Sequence, residues 1–498
     1  MMRHTETSMQ RIIIVDSPAD WPIDLPDVQV VSGKEYLTTE PFRKQRDIRV
    51  FNMCRSYKYQ TIGYYVSLLA EARGHKPVPS VSTMQDMKSQ AIVKLAADEI
   101  DELIQKSLAE VKSEEFILSV YFGKNVAKKY DRLSAQLYRM FHTPFVRAHF
   151  HREAGRWQLR KVGPIAAKDI PEAHHAEVIE FAKEYFKGRR TEQAKKPDIR
   201  YSIAILMNPQ EAMPPSNETA IKRFIKAAEK LHMEAEIIGK DDYSRLGEFD
   251  ALFIRETTAV NHHTFRFARR AAAEGLVVID DPESILRCGN KVYLNELLEK
   301  NQIPAPRTLV VHRDNTDEIF DKVGLPCVLK QPDSSFSQGV SKADDEASLQ
   351  RELTQLFEKS DLLIAQEFLP TEFDWRVGVF DRKPIYLCKY FMAKKDWKVI
   401  SKDKAGRTLN GRSETIPIEL APKKLISLAL KAANLIGDGL YGLDIKQIGS
   451  NFCVIEINDN PNIDHGYEDL IRKDDLFLGI MEVFLQRITA AKEGRSYQ

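Results

Sequence analysis

Short apolar runs recur through the first 190 residues. Residues 12–15, 28–31, 48–54 and 115–120 each have the length and the β-branched content of a strand. The third feeds a polar cluster, Arg55-Ser56-Tyr57-Lys58-Tyr59, and a helix is predicted from about Thr61 to Arg73, stopped by Gly74. Residues 84–110 and 124–140 place apolar side chains at helical spacing. After residue 200 the pattern becomes regular. A strand over 202–207 leads to an amphipathic helix over 218–234, with Ala220, Ile221, Phe224, Ile225, Ala228 and Leu231 on one stripe. A strand over 251–255, a helix over 262–274 closed by Gly275 and a strand over 276–280 follow. This alternation predicts a small parallel sheet covered by helices. From Pro282 it gives way to a helix over 287–300, the connector Ile303-Pro304-Ala305-Pro306 and mostly antiparallel-looking strands. The expected class is α/β followed by α+β.

Length and punctuation divide this pattern. At about 100–200 residues per domain, 498 residues make about three. The break at 187–200, KGRRTEQAKKPDIR, is basic and almost without apolar residues, as an exposed linker would be. The expected domains are an N-terminal α/β domain over 1–190, a linker over 191–200, a parallel-sheet domain over 201–285 and a further domain over 286–490. Seventy-three Lys and Arg against 72 Asp and Glu leave a net charge of +1, which argues against a nucleic-acid coat and gives no nucleic-acid partner. No apolar run approaches the ~20 residues of a membrane span, and the polar start runs straight into a strand, so neither membrane nor signal segment is expected. Five scattered cysteines without a CxxC pair suit reduced thiols, and hence the cytoplasm.

Candidate chemistry is densest near the C-terminus. Gly442-Leu443-Asp444-Ile445 and Val454-Ile455-Glu456-Ile457-Asn458 flank Gly449-Ser450-Asn451, which has the makings of a three-residue hairpin loop. Closed there, the hairpin sets Asp444 opposite Glu456, with Asn458 on the same face and Leu443, Ile445, Cys453, Ile455 and Ile457 on the other. Two apposed carboxylates repel unless a cation lies between them. Oxygen donors without Cys or His favour Mg²⁺ or Mn²⁺. Spacing alone leaves an ordinary exposed polar face equally open. Upstream, Lys330 ends an apolar strand before Asp333-Ser334-Ser335-Phe336-Ser337-Gln338-Gly339, a loop rich in hydroxyl and N–H donors that could cap phosphates. Taken singly, Lys330 and Lys291 read more simply as solvated lysines, residues 362–369 as a core strand, and Asp374 with Arg376 as a surface ion pair.

The order of these elements is more informative than any one of them. Lysine on a helix, strand-end lysine, small-residue loop, Gln366-Glu367-Phe368-Leu369, Asp374-x-Arg376 and Asp444…Glu456-x-Asn458-x-x-Pro461 together resemble the ATP-grasp ligases, over about residues 200–487. The resemblance is to the RimK-like branch, with its relatives in lysine and glutathione synthesis. The stretch Asn52–Tyr65 likewise resembles the N-terminal domain found before some RimK-like proteins. The resemblance implies an ATP-grasp fold, a parallel-sheet domain plus a two-part antiparallel nucleotide clamp, preceded by a separate α/β domain. It implies an ATP-dependent carbon–nitrogen ligase that joins a carboxylate to an amine through an acyl phosphate, glutamate being the family-typical amino acid. Lys291 and Lys330 would contact phosphates, Gln366, Glu367, Phe368 and Leu369 would line the adenine site, and Asp374 would bind ribose. Arg376 would face the acyl phosphate or substrate carboxylate. Arg407 and Asn410 fall near the family's Arg/Asn pair, beside an insertion over 394–405. Asp444, Glu456 and Asn458 would hold Mg²⁺. The partners implied are small-molecule acid and amine substrates, or a peptide or protein tail, in a homo-oligomer. The phosphate loop departs from relatives in having one glycine, Gly339. Arg255, at a strand end, is a candidate clamp for the acid, with a solvated arginine as the plain alternative. Arg55, Tyr57, Lys58 and Tyr59 form either an anion site or a packed polar crossover. An ATP-grasp kinase and an ATP-binding regulatory protein are the rival functions.

Overall fold

A computed structural model describes residues 10–494 except 22–27, 46–47, 188–198, 334–338, 394–399 and 403–407. Most of the expected linker, the middle of the phosphate loop, most of the insertion and Arg407 lie outside the described residues. Two compact units result: Met1–Ser202 with Asp241–Asp250, and Ile203–Lys240 with Ala251–Gln498.

Among the described residues the first unit holds two sheets. In one, Gln29–Ser32, Gln10–Val15, Ile48–Asn52 and Lys76–Val78 lie side by side, all parallel. Ile12, Ile13 and Ile14 are wholly buried, as in a strand covered on both faces. In the other, Glu115–Tyr121, Phe145–Glu153 and Arg156–Pro164 run antiparallel. The predicted helix over 84–110 is three helices, Val81–Asp86, Gln90–Glu99 and Asp101–Leu108. Ser89 supplies one break, its hydroxyl accepting from the Ile92 N–H at 3.4 Å. The helix expected over 124–140 is confined to Asp131–Met140.

The crossover after Ile48–Asn52 is held by its own polar groups. Asn52, fully buried, donates to Gly63 O (2.7 Å) and Ser67 Oγ (3.0 Å) and accepts from the Cys54 N–H (3.2 Å). The buried Tyr57 hydroxyl donates to Asn52 O at 2.5 Å. A Cβ on Gly63 would lie 2.4 Å from Ser56 O, so the helix closes on the crossover backbone only through glycine. Of the four residues considered as an anion site, Tyr57 is therefore core, while Arg55 and Tyr59 are exposed.

The second unit opens with the sheet Val277–Ile279, Ala251–Ile254, Tyr201–Leu206, Met233–Ile238, in that order, with the first three parallel. Met233–Ile238 begins inside the helix predicted over 218–234. That helix ends at Lys230, and His232, at φ +57°, turns the chain into the strand. The helix expected over 287–300 is two, Pro282–Gly289 and Lys291–Lys300. Asn290 divides them, its side chain accepting from the Val292 and Tyr293 N–H groups at 3.0 Å each.

Besides an antiparallel strand pair, Ile400–Lys402 with Thr408–Asn410, two antiparallel sheets complete this unit among the described residues. One has the order Thr308–Val311, Leu363–Glu367, Cys327–Lys330, Val340–Ala343. The other has the order Ser413–Thr415, Lys383–Phe391, Phe373–Phe380, Leu440–Ile448, Asn451–Asn458. Helix Lys423–Ile436 covers the second with Leu425, Ala429, Ala432, Ala433 and Ile436, a stripe at helical spacing.

The C-terminal hairpin keeps the expected Asp444–Glu456 pair by another route. Ile448 pairs with Asn451, so the loop has two residues, Gly449 and Ser450. An irregularity between Asp444 and Ile445 then absorbs one residue of the returning strand and restores the register. Val454 accordingly takes the core place expected of Cys453 and Ile455, which are only partly buried.

Candidate functional site

The site is built on the inner ends of these antiparallel strands. Strand alternation sends Asp444 and Lys446 to one face of Leu440–Ile448 and Asp374 and Arg376 to one face of the neighbouring Phe373–Phe380. Arg376 forks onto Asp444, Nε to Oδ1 at 2.7 Å and Nη2 to Oδ2 at 2.9 Å. Lys446 reaches Asp374 Oδ1 and Thr371 Oγ1 at 2.6 Å each. Asn458 Nδ2 lies 3.3 Å from Gly442 O and 3.4 Å from Asp444 Oδ2. Glu456 meets Lys291, the first residue of its helix, at 3.0 Å.

Arg376, Lys446, Lys291 and Lys330 thus interleave with Asp374, Asp444 and Glu456 in a partly buried layer, where some of the charges feel burial. It raises the Asp444 pKa, with Arg376 opposing. For Glu456 burial also pushes upward, but Lys291 and Lys330 outweigh it and hold the carboxyl below its ordinary value. Burial lowers the Lys330 pKa to about 8. Its ammonium donates to Gln366 Oε1 at 2.7 Å, and Gln366 Nε2 donates to Thr308 Oγ1 at 3.1 Å.

Lys291, Lys330, Gln366, Thr308, Leu294 and Val454 are among the walls of one cleft. The remaining residues expected at an adenine site are disposed differently. Glu367 pairs with Arg307, and its N–H donates to Arg307 O at 2.9 Å. The Phe368 ring lies 4.5 Å from the Lys342 ammonium. Leu369 follows the strand Leu363–Glu367 and is partly buried. Asn410 is on the short strand Thr408–Asn410.

Three corrections follow. Asp374 and Arg376 do not pair with each other; each pairs across the strands, with Lys446 and Asp444. Arg255 is wholly buried, so it is neither a surface arginine nor an open clamp. It donates to Ser216 Oγ (3.0 Å), Asn460 Oδ1 (2.8 Å), Pro461 O (2.8 Å) and Pro215 O. Lys446 was missed, although its place two residues after Asp444 on one strand was signal enough.

Residues 33–181 match the RimK-like ATP-grasp N-terminal domain and residues 288–471 the RimK-like ATP-grasp domain. The alpha-aminoadipate–LysW ligase LysX of Sulfolobus acidocaldarius is 29% identical over 273 residues, 50% of this chain and 91% of that protein. The tetrahydromethanopterin:alpha-L-glutamate ligase of Methanocaldococcus jannaschii is 24% identical over 267 residues, 49% of this chain and 88% of that one. A solved RimK-domain ATP-grasp protein of Sphaerobacter thermophilus covers 56% of this chain and 98% of its own, at 16% identity and a TM-score of 0.44. With both of its domain types matched in order along the sequence, the chain belongs to the RimK-like ATP-grasp ligases, ATP-dependent enzymes that form carbon–nitrogen bonds.

Proposed function

We propose that this ligase activates a carboxylate with ATP and Mg²⁺ and joins it to an amine, one of the two partners being an amino acid such as glutamate. The observation that carries the reading is the apposition of Asp444 and Glu456, with Asn458 beside them, to Lys291, Lys330 and Arg376. The two relatives named above support the amino-acid assignment, because each is a ligase of an α-amino acid by its name. The second partner differs between them by name, LysW in one and tetrahydromethanopterin in the other.

The donor set fits Mg²⁺. Asp444, Glu456 and Asn458 offer only oxygens suited to a hard cation, and Asp444 Oδ1 keeps a second lone pair beyond its Arg376 contact. These three would hold the ion, which supplies positive charge next to the nucleotide phosphates. The chain's own residues do the rest. Lys291 and Lys330 bind phosphate oxygens at the cleft, and Gln366 orients the Lys330 ammonium. Lys446 and Thr371 both engage Oδ1 of Asp374, which fixes that carboxylate and leaves Oδ2 toward a ribose hydroxyl. Arg376 stabilises charge on the transferring phosphoryl group, a largely electrostatic task. Arg407 and Asn410 would assist there.

A substrate carboxylate oxygen bonds to the γ-phosphorus as the bond to ADP breaks. The amine then attacks the acyl carbon, phosphate departs, and the amine loses a proton. Residues 333–339 would exclude water from the acyl phosphate.

The test is ADP release by the whole protein with amino acids and amines supplied separately and together, with mass spectrometry of the products, beside Glu456→Gln. The expected result is ADP release that needs both an acid and an amine, with a product of condensed mass. Release with a hydroxyl compound alone, giving a stable phosphate ester, would replace the ligase by a kinase. Release no greater than that of Glu456→Gln with any pair would refute the site.

A further inference from the structure

Outside the nucleotide cleft, Glu256, His262 and His263 meet where strand Ala251–Ile254 ends and helix His263–Ala273 begins. One side-chain ligand atom from each lies within 4.8 Å of the other two. Glu256 is 2% exposed, yet its Oε2 has no hydrogen-bond partner, and neither has His263 Nε2. His263 Nε2 approaches Glu256 Oε1 to 3.0 Å without hydrogen-bonding geometry. His262 Nε2 lies 4.0 Å from the same oxygen.

Local hydrogen bonds fix one ring. The Thr264 hydroxyl has a single hydrogen, which it donates to Thr257 O at 3.3 Å. It therefore accepts from His262 Nδ1, 3.1 Å away. Nδ1 carries the proton, and Nε2 turns a lone pair toward the Glu256 carboxylate. A carboxylate oxygen of Glu256 and an imidazole lone pair thus converge, with the unsatisfied His263 nitrogen beside them. Buried polar atoms are seldom left in this way without a partner.

We propose that Glu256, His262 and His263 form a binding site for a divalent transition-metal ion, with Zn²⁺ the best match to two imidazoles and a carboxylate. Nitrogen donors at this density disfavour Mg²⁺, and three protein ligands leave a position for water. The His262 side chain is 40% exposed, which opens that position to solvent. The Thr264 contact is the outer-shell hydrogen bond that metal-bound imidazoles commonly make. The ion would act as a clip. Glu256 O accepts from Asn460 Nδ2 at 2.7 Å, and the Thr258 hydroxyl donates to Asp459 Oδ2 at 2.8 Å. Fixing residues 256–263 thereby steadies the segment that directly follows Asn458.

Chelator-treated whole protein would be titrated with Co²⁺, as a coloured substitute for Zn²⁺, in excess Mg²⁺ and ADP that saturate the oxygen-donor hairpin. One equivalent should bind with visible absorption typical of low coordination number, and Zn²⁺ should abolish the colour. His262→Ala and His263→Gln should each weaken binding by more than the roughly 10- to 100-fold typical of losing an outer-shell contact. Asp444→Asn should keep the spectrum. A protein that takes up no Co²⁺, or binds it equally well in both histidine variants, overturns the proposal, as does loss of the spectrum in Asp444→Asn alone. If His263→Gln does not fold, the partly exposed His262→Ala decides.

Discussion

Lys330→Met should stabilise the nucleotide-free protein while weakening its hold on ATP. Burial is the main influence on this lysine and brings its pKa from 10.5 down to about 8; Glu456 opposes that and Lys291 adds to it. An unfolded lysine titrates near 10.4, so between about pH 8 and 10.5 the unfolded chain binds more protons. Stability therefore rises with pH across that window, and the penalty is fully present below pH 8. At about 1.36 kcal/mol per pH unit its ceiling is roughly 3 kcal/mol. Lys330 keeps some contact with solvent, which brings the working value to about 2 kcal/mol. Methionine removes this penalty but leaves Gln366 Oε1 without its donor, a loss of about 1 kcal/mol. The net gain at pH 7 is about 1 kcal/mol, or roughly 2 °C in melting temperature for a unit of this size.

Melting curves at pH 7 and pH 9.5, with and without Mg²⁺ and ADP, provide the assay. Wild type should gain stability between the two pH values and the variant should not. Nucleotide should raise the melting temperature of wild type far more than that of Lys330→Met. The reasoning fails if nucleotide-free Lys330→Met melts below wild type at pH 7, or if both proteins respond equally to pH.

Three further substitutions probe the framework. Lys446→Met deprives the largely buried Asp374 of its cation, so stability should fall by about 2 kcal/mol and the KM for ATP should rise with less change in kcat, measured by urea unfolding and steady-state kinetics. Gly378→Ala would drive a Cβ to 2.2 Å from the buried Tyr386 ring, and overpacking should cost about 1–3 kcal/mol; an unchanged melting temperature would show that the ring moves aside freely. Arg255→Met leaves four acceptors, from Pro215, Ser216, Asn460 and Pro461, without their donor, at a cost of about 3–5 kcal/mol; the Mg²⁺ concentration for half-maximal activity should rise as well, and wild-type values for both would refute the anchoring role.

What was legible in the sequence was what depends on short periods. The strands over 10–15, 48–52 and 251–254, the helix over 62–72 and the Asp444–Glu456 pairing all follow from local alternation or from caps. Boundaries failed where one side chain cut a continuous apolar pattern, as Asn290 and Ser89 do by capping a new helix. The strand Met233–Ile238 was hidden because no Gly or Pro separates it from the helix before it, and only the left-handed His232 divides the two. Partnerships across strands were illegible for a different reason. Whether Arg376 meets Asp374 or Asp444 depends on which strand lies alongside Phe373–Phe380, a long-range fact that no spacing within one strand contains. The burial of Arg255 is of the same kind, since its acceptors lie 39 to 206 residues away in sequence.

These long-range contacts explain why the stretch from Glu456 to Pro461 reads as a motif. Glu456 and Asn458 lie beside Asp444, but two of the residues after them act backward on the site. Asn460 accepts from Arg255 and donates to Glu256 O, which fixes the chain's exit from the hairpin. Pro461 offers its carbonyl to Arg255 and lays its ring against Gly442, where a Cβ would stand 2.5 Å from the proline Cβ. The same absent Cβ would stand 3.3 Å from Arg376 Cδ, so glycine at 442 lets the proline and the arginine close in together beside Asp444. Gly442 is itself paired with Asn458 across the hairpin. The oxygen donors are therefore positioned by a buried arginine, a proline and a missing side chain, none of which need touch ATP. Gly442→Ala should for that reason impair phosphoryl transfer as severely as loss of a charged group, and a near-wild-type kcat in that variant would show that the hairpin holds its geometry without them.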